Sequence, residues 1–313
     1  MIQVENLTKY YGSRLAIESV SFEVGKGEIV GFLGPNGAGK TTTMRILSGY
    51  IPATSGTASI AGFDVLTQSL EARRRIGYLP ETVPLYTDMT VEAYLDFAAS
   101  VRGVERRKRR QRIGEVMRLC RLEDRAKDLI GTLSKGYRQR VGLAQAIAHD
   151  PDVLILDEPT IGIDPRQVVE TRQLIQSLGR EHTVLLSSHI LSEVSMVCER
   201  VIIMDRGKIV AVDRTENLSS RLRQGQRVEL VAVGPEAEIL RSLRSVKGVW
   251  QVTSKESGER RRYEIECSPG KEVQDELASA VVRGGWKLFE LKATEMSLED
   301  AFLRLTDEGR ARG

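Results

Sequence analysis

Residues 28–47 read EIVGFLGPNGAGKTTTMRIL, and this stretch decides the fold. It opens with the apolar run IVGFL, which is strand-sized. Gly34 to Thr41 then fit the pattern G-x-x-x-x-G-K-[S/T]. The next residues, TMRIL, have the composition of a helix, closed by Gly49. Strand, glycine loop and helix in that order place backbone N–H groups around an anion at the helix start. Gly34, Pro35, Asn36, Gly37, Ala38 and Gly39 form the cradle, and Lys40, Thr41 and Thr42 open the helix. In such a loop the lysine reaches the β- and γ-phosphates of a nucleoside triphosphate and the following hydroxyl ligates Mg²⁺. ATP and Mg²⁺ are therefore the expected ligands.

Further along, VLILDEP (153–159) supplies the acidic half of such a site. Four apolar residues read as a buried strand, with Asp157 and Glu158 emerging at its carboxyl end, where ligands collect in open α/β sheets. Asp157 can hold Mg²⁺, and Glu158 stands where a base for an attacking water would. A second helix start, LSKGYRQR (133–140), combines Ser134, Lys135 and Gly136. A helix start with small residues and exposed N–H groups is an anion site, although the Lys40 loop already surrounds one triphosphate.

The elements around these motifs indicate an α/β chain. QVENL and SVSFEV read as strands before the loop, and residues 53–66 resume a strand-and-turn pattern. Val91, Tyr94, Leu95 and Ala98 fall on one helical face, as do Ile113, Val116, Met117 and Cys120, so residues 88–150 read as a helical insertion. VLIL, TVLLSS and RVIIM alternate with helical stretches, which predicts a buried, largely parallel sheet. After about residue 215 the pattern restarts as β-α-β-β-α-β. RVELVAV is the first strand, a helix has Pro235 in its first turn, VWQVT and YEIEC are the middle strands, a helix runs from Lys271, and WKLFEL is the last strand. That order suggests a ferredoxin-like module. Tyr263, Ile265 and Cys267 alternate with Glu264 and Glu266, giving one buried face. A last helix is expected from Ser297, with Asp300 as a capping residue.

The 313 residues suffice for one large domain and a smaller one. Charged residues are 28% and the net charge is only +3, which by itself does not point to nucleic acid. The run ERRKRRQR (105–112) reads first as the solvated face of a helix, ahead of contact with anionic lipid or nucleic acid. Cys120, Cys198 and Cys267 fit neither a zinc site nor a disulfide framework, so a reducing compartment is expected. The N-terminus lacks the apolar core of a signal peptide, and no apolar run approaches the roughly 18 residues of a membrane span. The chain is expected not to cross a membrane alone. His149 and His182 read as surface residues.

Gly34–Thr41, LSKGYRQR, VLILDEPTIGIDP and VLLSSHILSEV, in that order, resemble the ATP-binding cassette family over about 215 residues. Within it the chain is similar to the ATPase subunits of ABC-2 type exporters. The resemblance implies a P-loop NTPase core with an antiparallel β subdomain and a helical subdomain in residues 1–215, followed by an accessory domain at 220–313. It implies that Tyr11 (or Tyr10) stacks on adenine and that Asp164 lies in the loop crossing a dimer interface. His189 corresponds to the switch histidine that senses the γ-phosphate. Glu81 stands where the family has glutamine. It is expected to contact Mg²⁺ or water, or to serve in the hinge toward the helical insertion, with Pro84 and Tyr86 facing a membrane partner. Lys135 and Tyr137 also depart from the family's common signature, whereas Ser134 and Gly136 keep it. In a head-to-tail homodimer these two would face the γ-phosphate bound by the other protomer. The implied protein is an ATP hydrolase on the cytoplasmic face of the membrane, coupled to a separate transmembrane permease and with no nucleic-acid partner. The alternatives are a soluble cassette ATPase acting on nucleic acid or the ribosome, and a regulator that binds nucleotide without hydrolysing it. Intact Glu158 and His189 argue against the last.

Overall fold

The computed structural model describes residues 1–217, 226–257, 260–268 and 273–295. Two compact units divide the chain, Met1–Thr215 and Glu216–Gly313.

The first unit begins with the hairpin β1 (Ile2–Tyr11) and β2 (Arg14–Val24). β3 (Ile29–Leu33) follows, then α1 (Lys40–Leu47), and the pair β4 (Ser55–Ile60) and β5 (Phe63–Asp64). β2, β1, β4 and β5 form an antiparallel sheet in that order. After α2 (Ser69–Arg74) comes β6 (Ile76–Leu79). The helical insertion then holds α3 (Val91–Val101), α4 (Arg106–Leu119) and α5 (Lys135–Ile147). The chain returns through β7 (Val153–Leu156), α6 (Pro165–Leu178), β8 (Thr183–Ser188), α7 (Leu191–Ser195), β9 (Arg200–Asp205) and β10 (Lys208–Arg214).

The central sheet runs β10-β9-β3-β8-β7-β6. All its pairs are parallel except the edge pair β9–β10. β7 and β8 are buried along their whole length, which explains their unbroken apolar or small-residue sequence in a sheet covered on both faces. A core that includes Ile2, Val4, Phe22, Phe32, Met44 and Ile60 lies between the two sheets and α1. The Phe22 and Phe32 rings pack there with centroids 5.3 Å apart.

The helical insertion follows its pattern. Thr90 caps α3 by accepting from the Ala93 N–H, and Val91, Tyr94 and Leu95 are buried. On α4, Ile113 and Val116 are buried and Cys120 follows them inward. The basic run is only partly a solvated face. Arg109 pairs with Asp96 at 3.3 Å. Arg112 donates to the carbonyls of Ile147 and Ala148 and pairs with Asp150. Two of the arginines therefore fasten α4 to α3 and to the end of α5, and Arg106, Arg107, Lys108 and Arg110 face water.

The second unit contains β11 (Gln226–Val233), α8 (Glu236–Arg244), β12 (Val249–Ser257), β13 (Arg260–Cys267), α9 (Gln274–Arg283) and β14 (Lys287–Glu295). Its sheet is antiparallel throughout, ordered β12-β13-β11-β14. Tyr263, Ile265 and Cys267 point into a core with Val228, Leu230, Ile239, Leu243, Leu277 and Val281. Pro235 sits at the cap position before α8 rather than inside its first turn, its ψ of 119° being extended. The expected helix start at Lys271 and the helix from Ser297 through Asp300 lie outside the described residues.

Candidate functional site

The phosphate loop owes its shape to two close approaches. A Cβ at Gly34 would lie 2.5 Å from the Met204 carbonyl oxygen, so only glycine lets β3 turn there. Gly39, at the cap of α1, has φ 107°, in the left-handed region that side chains disfavour. No side chain caps α1, so its first-turn N–H groups remain available to an anion. Asn36 to Thr42 line a cleft of about 510 Å³ together with Tyr11, Arg14, Arg45, Glu81, Glu158 and Ile161. Lys40 is only 5% exposed. Its Nζ donates to the carbonyls of Gly34 (2.7 Å) and Pro35 (3.3 Å) and lies 3.5 Å from Glu158 Oε1.

The carboxylates hang from the end of β7. Asp157 Oδ1 accepts from Ser187 Oγ at 2.6 Å and from Thr41 Oγ1 at 3.3 Å. The Asp157 Oδ2 atom is buried with no hydrogen-bond partner. Burial pushes the Asp157 carboxyl above its ordinary value; the two hydroxyls oppose this, and the nearby Glu158 and Glu81 charges add to it. A buried carboxylate with one unsatisfied oxygen beside a threonine hydroxyl is a donor set for a hard cation with oxygen ligands.

Glu158 follows in a left-handed conformation, φ 49°. Its N–H donates to Ser187 Oγ at 2.9 Å. Its Oε2 lies 3.0 Å from His189 Nδ1. The carboxylate is thus held between Lys40 and His189 at the cleft wall, with lone pairs free to accept a proton. Ser187, fully buried on β8, bridges both acidic residues. Sequence reading passed over it, and over Arg14 and Arg45 in the cleft wall. The double serine ending an otherwise apolar strand was the available signal.

The other sequence-predicted residues divide into two groups. Tyr11 lines the cleft, 45% exposed, with Lys9 Nζ 5.5 Å from its ring centroid; Tyr10 does not line it. Glu81 lines the same cleft. Ser134, Gly136 and Asp164 do not line it. Ser134 caps α5 by accepting from the Tyr137 N–H, and Asp164 caps α6 by accepting from the N–H groups of Arg166 and Gln167. Gln167 lies against Gly136, where any Cβ would collide with its Oε1.

Two expectations need correction. His182 is 5% exposed, with Nδ1 2.7 Å from the Pro151 carbonyl oxygen. His149 is largely buried, with Nε2 3.1 Å from the Ile76 carbonyl oxygen, and burial lowers its pKa to about 4. Neither is a surface residue. His149 thus meets the carbonyl that opens β6, and His182 that of Pro151, just before β7.

Comparison with known proteins adds four findings. Residues 17–161 match the family model for ABC transporters. Linearmycin resistance ATP-binding protein LnrL of Bacillus subtilis is 34% identical over 98% of both chains. Bacitracin transport ATP-binding protein BcrA of Bacillus licheniformis is 34% identical over 99% of this chain and 98% of its own. Among solved structures, a dimeric ATP-binding cassette in a post-hydrolysis state, bound to ADP and Pi, aligns with TM-score 0.63 and 25% identity. It covers 69% of this chain and 99% of that one.

Proposed function

The chain belongs to the ABC transporter family as an ATP-binding, ATP-hydrolysing subunit, and from that premise we propose how its site works and what it drives. The observation that carries the reading is Glu158, held 3.0 Å from His189 Nδ1 and 3.5 Å from Lys40 Nζ beside the phosphate loop. Incoming triphosphate replaces the Gly34 and Pro35 carbonyls as partner of Lys40. The N–H groups of Gly37 to Thr42 surround the phosphates, and Tyr11 stacks on the adenine. Thr41, Asp157 and Glu81 would hold Mg²⁺, which would neutralise charge on the β- and γ-phosphates. Glu158 accepts the proton of the attacking water, a role typically worth ~10²–10⁴-fold in rate. His189 orients Glu158 and offers its other nitrogen toward the γ-phosphate.

The remaining assignments complete the proposal. Residues 1–215 are the nucleotide-binding domain, with a helical subdomain at about 88–150. Residues 220–313 form an accessory domain, and the β-α-β-β-α-β order of its described elements supports a ferredoxin-like module. Two copies pair head to tail, so that Ser134 and Gly136 of one protomer meet the triphosphate held by Lys40 of the other, and Asp164 lies at that junction. No helix among the described residues is long and apolar enough to cross a membrane. The pair works with a separate transmembrane permease, on the cytoplasmic face of the membrane, as an ABC-2 type exporter. Whole-length similarity to resistance and transport ATP-binding proteins favours this over a soluble cassette acting on nucleic acid or the ribosome.

The test is ATP-dependent dimerisation of the Glu158→Gln chain, followed by light scattering. Adding Ser134→Arg leaves ATP binding intact and abolishes the dimer. A dimer of normal stability with Arg at 134 contradicts the cross-subunit reading.

A further inference from the structure

Two chain segments meet at the cleft wall, one following β7 and one following β8. They are linked at the strand ends through Ser187, which bonds to Asp157 and to the Glu158 N–H. They are linked next by His189 Nδ1 and Glu158 Oε2 at 3.0 Å. Beyond that pair they are linked once more, by Thr160 Oγ1 donating to Glu193 Oε2 at 2.5 Å. This outer bond is short and charge-assisted, joining groups that are both partly buried.

The outer bond sits where the geometry most needs support. Glu158 is held at φ 49°, and its chain turns back through an Ile161 N–H to Glu158 carbonyl bond of 3.1 Å. A non-glycine residue persists in that conformation only when its surroundings over-determine it. On the opposing side, His189 is followed by α7, a helix of five residues. So short a helix has little stability of its own, so its position depends on what it is tied to. Thr160 lies two residues after Glu158, and Glu193 lies four after His189. Joined, they close a ring whose other link is the Glu158–His189 contact.

We propose that Thr160 and Glu193 are positioning residues: their bond holds the His189 segment against the Glu158 turn and so maintains the imidazole–carboxylate contact. The inference rests on the proposed roles of Glu158 and His189. Neither Thr160 nor Glu193 lines the nucleotide cleft, so both act through the pair and not on ATP.

Thr160→Val removes the hydroxyl and keeps the shape. In the full chain it lowers kcat for ATP at least about tenfold while KM stays within about twofold. Thr160→Ser retains the wild-type kcat. Glu193→Leu has the same effect as Thr160→Val, and the double variant is no slower than either single, as expected when both changes break one bond. A second readout needs no catalysis. The chain has three histidines, so ¹⁵N-histidine labelling gives few imidazole signals, and His189→Gln identifies that of residue 189. In the wild type and Thr160→Ser its Nδ1 signal is that of a hydrogen-bonded nitrogen. In Thr160→Val it moves toward the solvent-averaged position. An unmoved His189 signal in Thr160→Val overturns the proposal, as does a fall in ATP affinity parallel to that in kcat. Failure of the base assignment is read separately, by normal hydrolysis in Glu158→Gln; the His189 spectrum then still decides whether the tether exists.

Discussion

Ser187→Ala tests the hub that the sequence concealed. In the wild type the Ser187 hydroxyl donates to Asp157 Oδ1 at 2.6 Å and accepts from the Glu158 N–H at 2.9 Å, all of it buried. Alanine removes a hydrogen bond to a charged group, worth ~1.5–3 kcal/mol, and leaves a buried N–H unsatisfied, at ~1–3 kcal/mol. The two losses share one site and overlap, so we expect a net destabilisation of about 3 kcal/mol at pH 7.5. The effect also depends on pH. Asp157 already has a raised pKa, chiefly through burial, and the Ser187 bond opposes that rise. A carboxyl raised in the folded state contributes stability at low pH that is lost as pH rises through its folded pKa. Losing the serine raises the folded pKa further, so the gap between variant and wild type widens with rising pH until Asp157 is ionised in both. Both tryptophans, Trp250 and Trp286, lie in the C-terminal unit, whereas β7 and β8 belong to the first. The assay is therefore amide hydrogen exchange of β7 and β8 at pH 5.5 and 7.5, corrected for intrinsic rates. A gap below about 1 kcal/mol at pH 7.5, or one that narrows with rising pH, refutes the reasoning.

Three further outcomes are expected from the geometry. His149, its pKa lowered to about 4 by burial, is neutral when folded. Its share of stability is therefore present above its ordinary pKa and is lost as pH falls from about 6.5 toward 4, by up to about 3 kcal/mol; His149→Gln flattens that loss in urea titrations, and proton NMR places its titration near pH 4. Tyr11→Ala weakens ATP binding by ~1–3 kcal/mol, the typical worth of stacking a base on an aromatic ring, whereas Tyr10→Ala leaves it within about twofold in calorimetry. Gly39→Ala places a Cβ 2.6 Å from Ile17 Cγ2 on backbone at φ 107°; it lowers stability by ~1–3 kcal/mol in thermal unfolding and weakens nucleotide binding.

Local pattern carried much of this molecule. The strand–glycine loop–helix unit and the alternation at Tyr263–Ile265–Cys267 are short-range signals found as read, and the helical stripe Val91–Tyr94–Leu95–Ala98 is found with its last residue only half-buried. Glu158 and Lys40 were identifiable as candidates because each ends or opens an element whose pattern is strong. The features that the sequence withheld depend on register between distant strands. Ser187 meets Asp157 only because β7 and β8 pair in parallel with Leu156 opposite Leu186. His149 and His182 are misplaced for the same reason: the carbonyls they meet, at Ile76 and Pro151, come from remote parts of the chain. Arg109 and Arg112 look like the rest of a basic run until α3 and the end of α5 come to lie beside them.

The central claim is that Glu158 is the base of an ATP-hydrolysing site built on Lys40. Single-turnover hydrolysis of bound ATP by Glu158→Gln tests it most directly. The account predicts ATP affinity within about threefold of wild type and a hydrolysis rate reduced by ~10²-fold or more. Hydrolysis at the wild-type rate contradicts it.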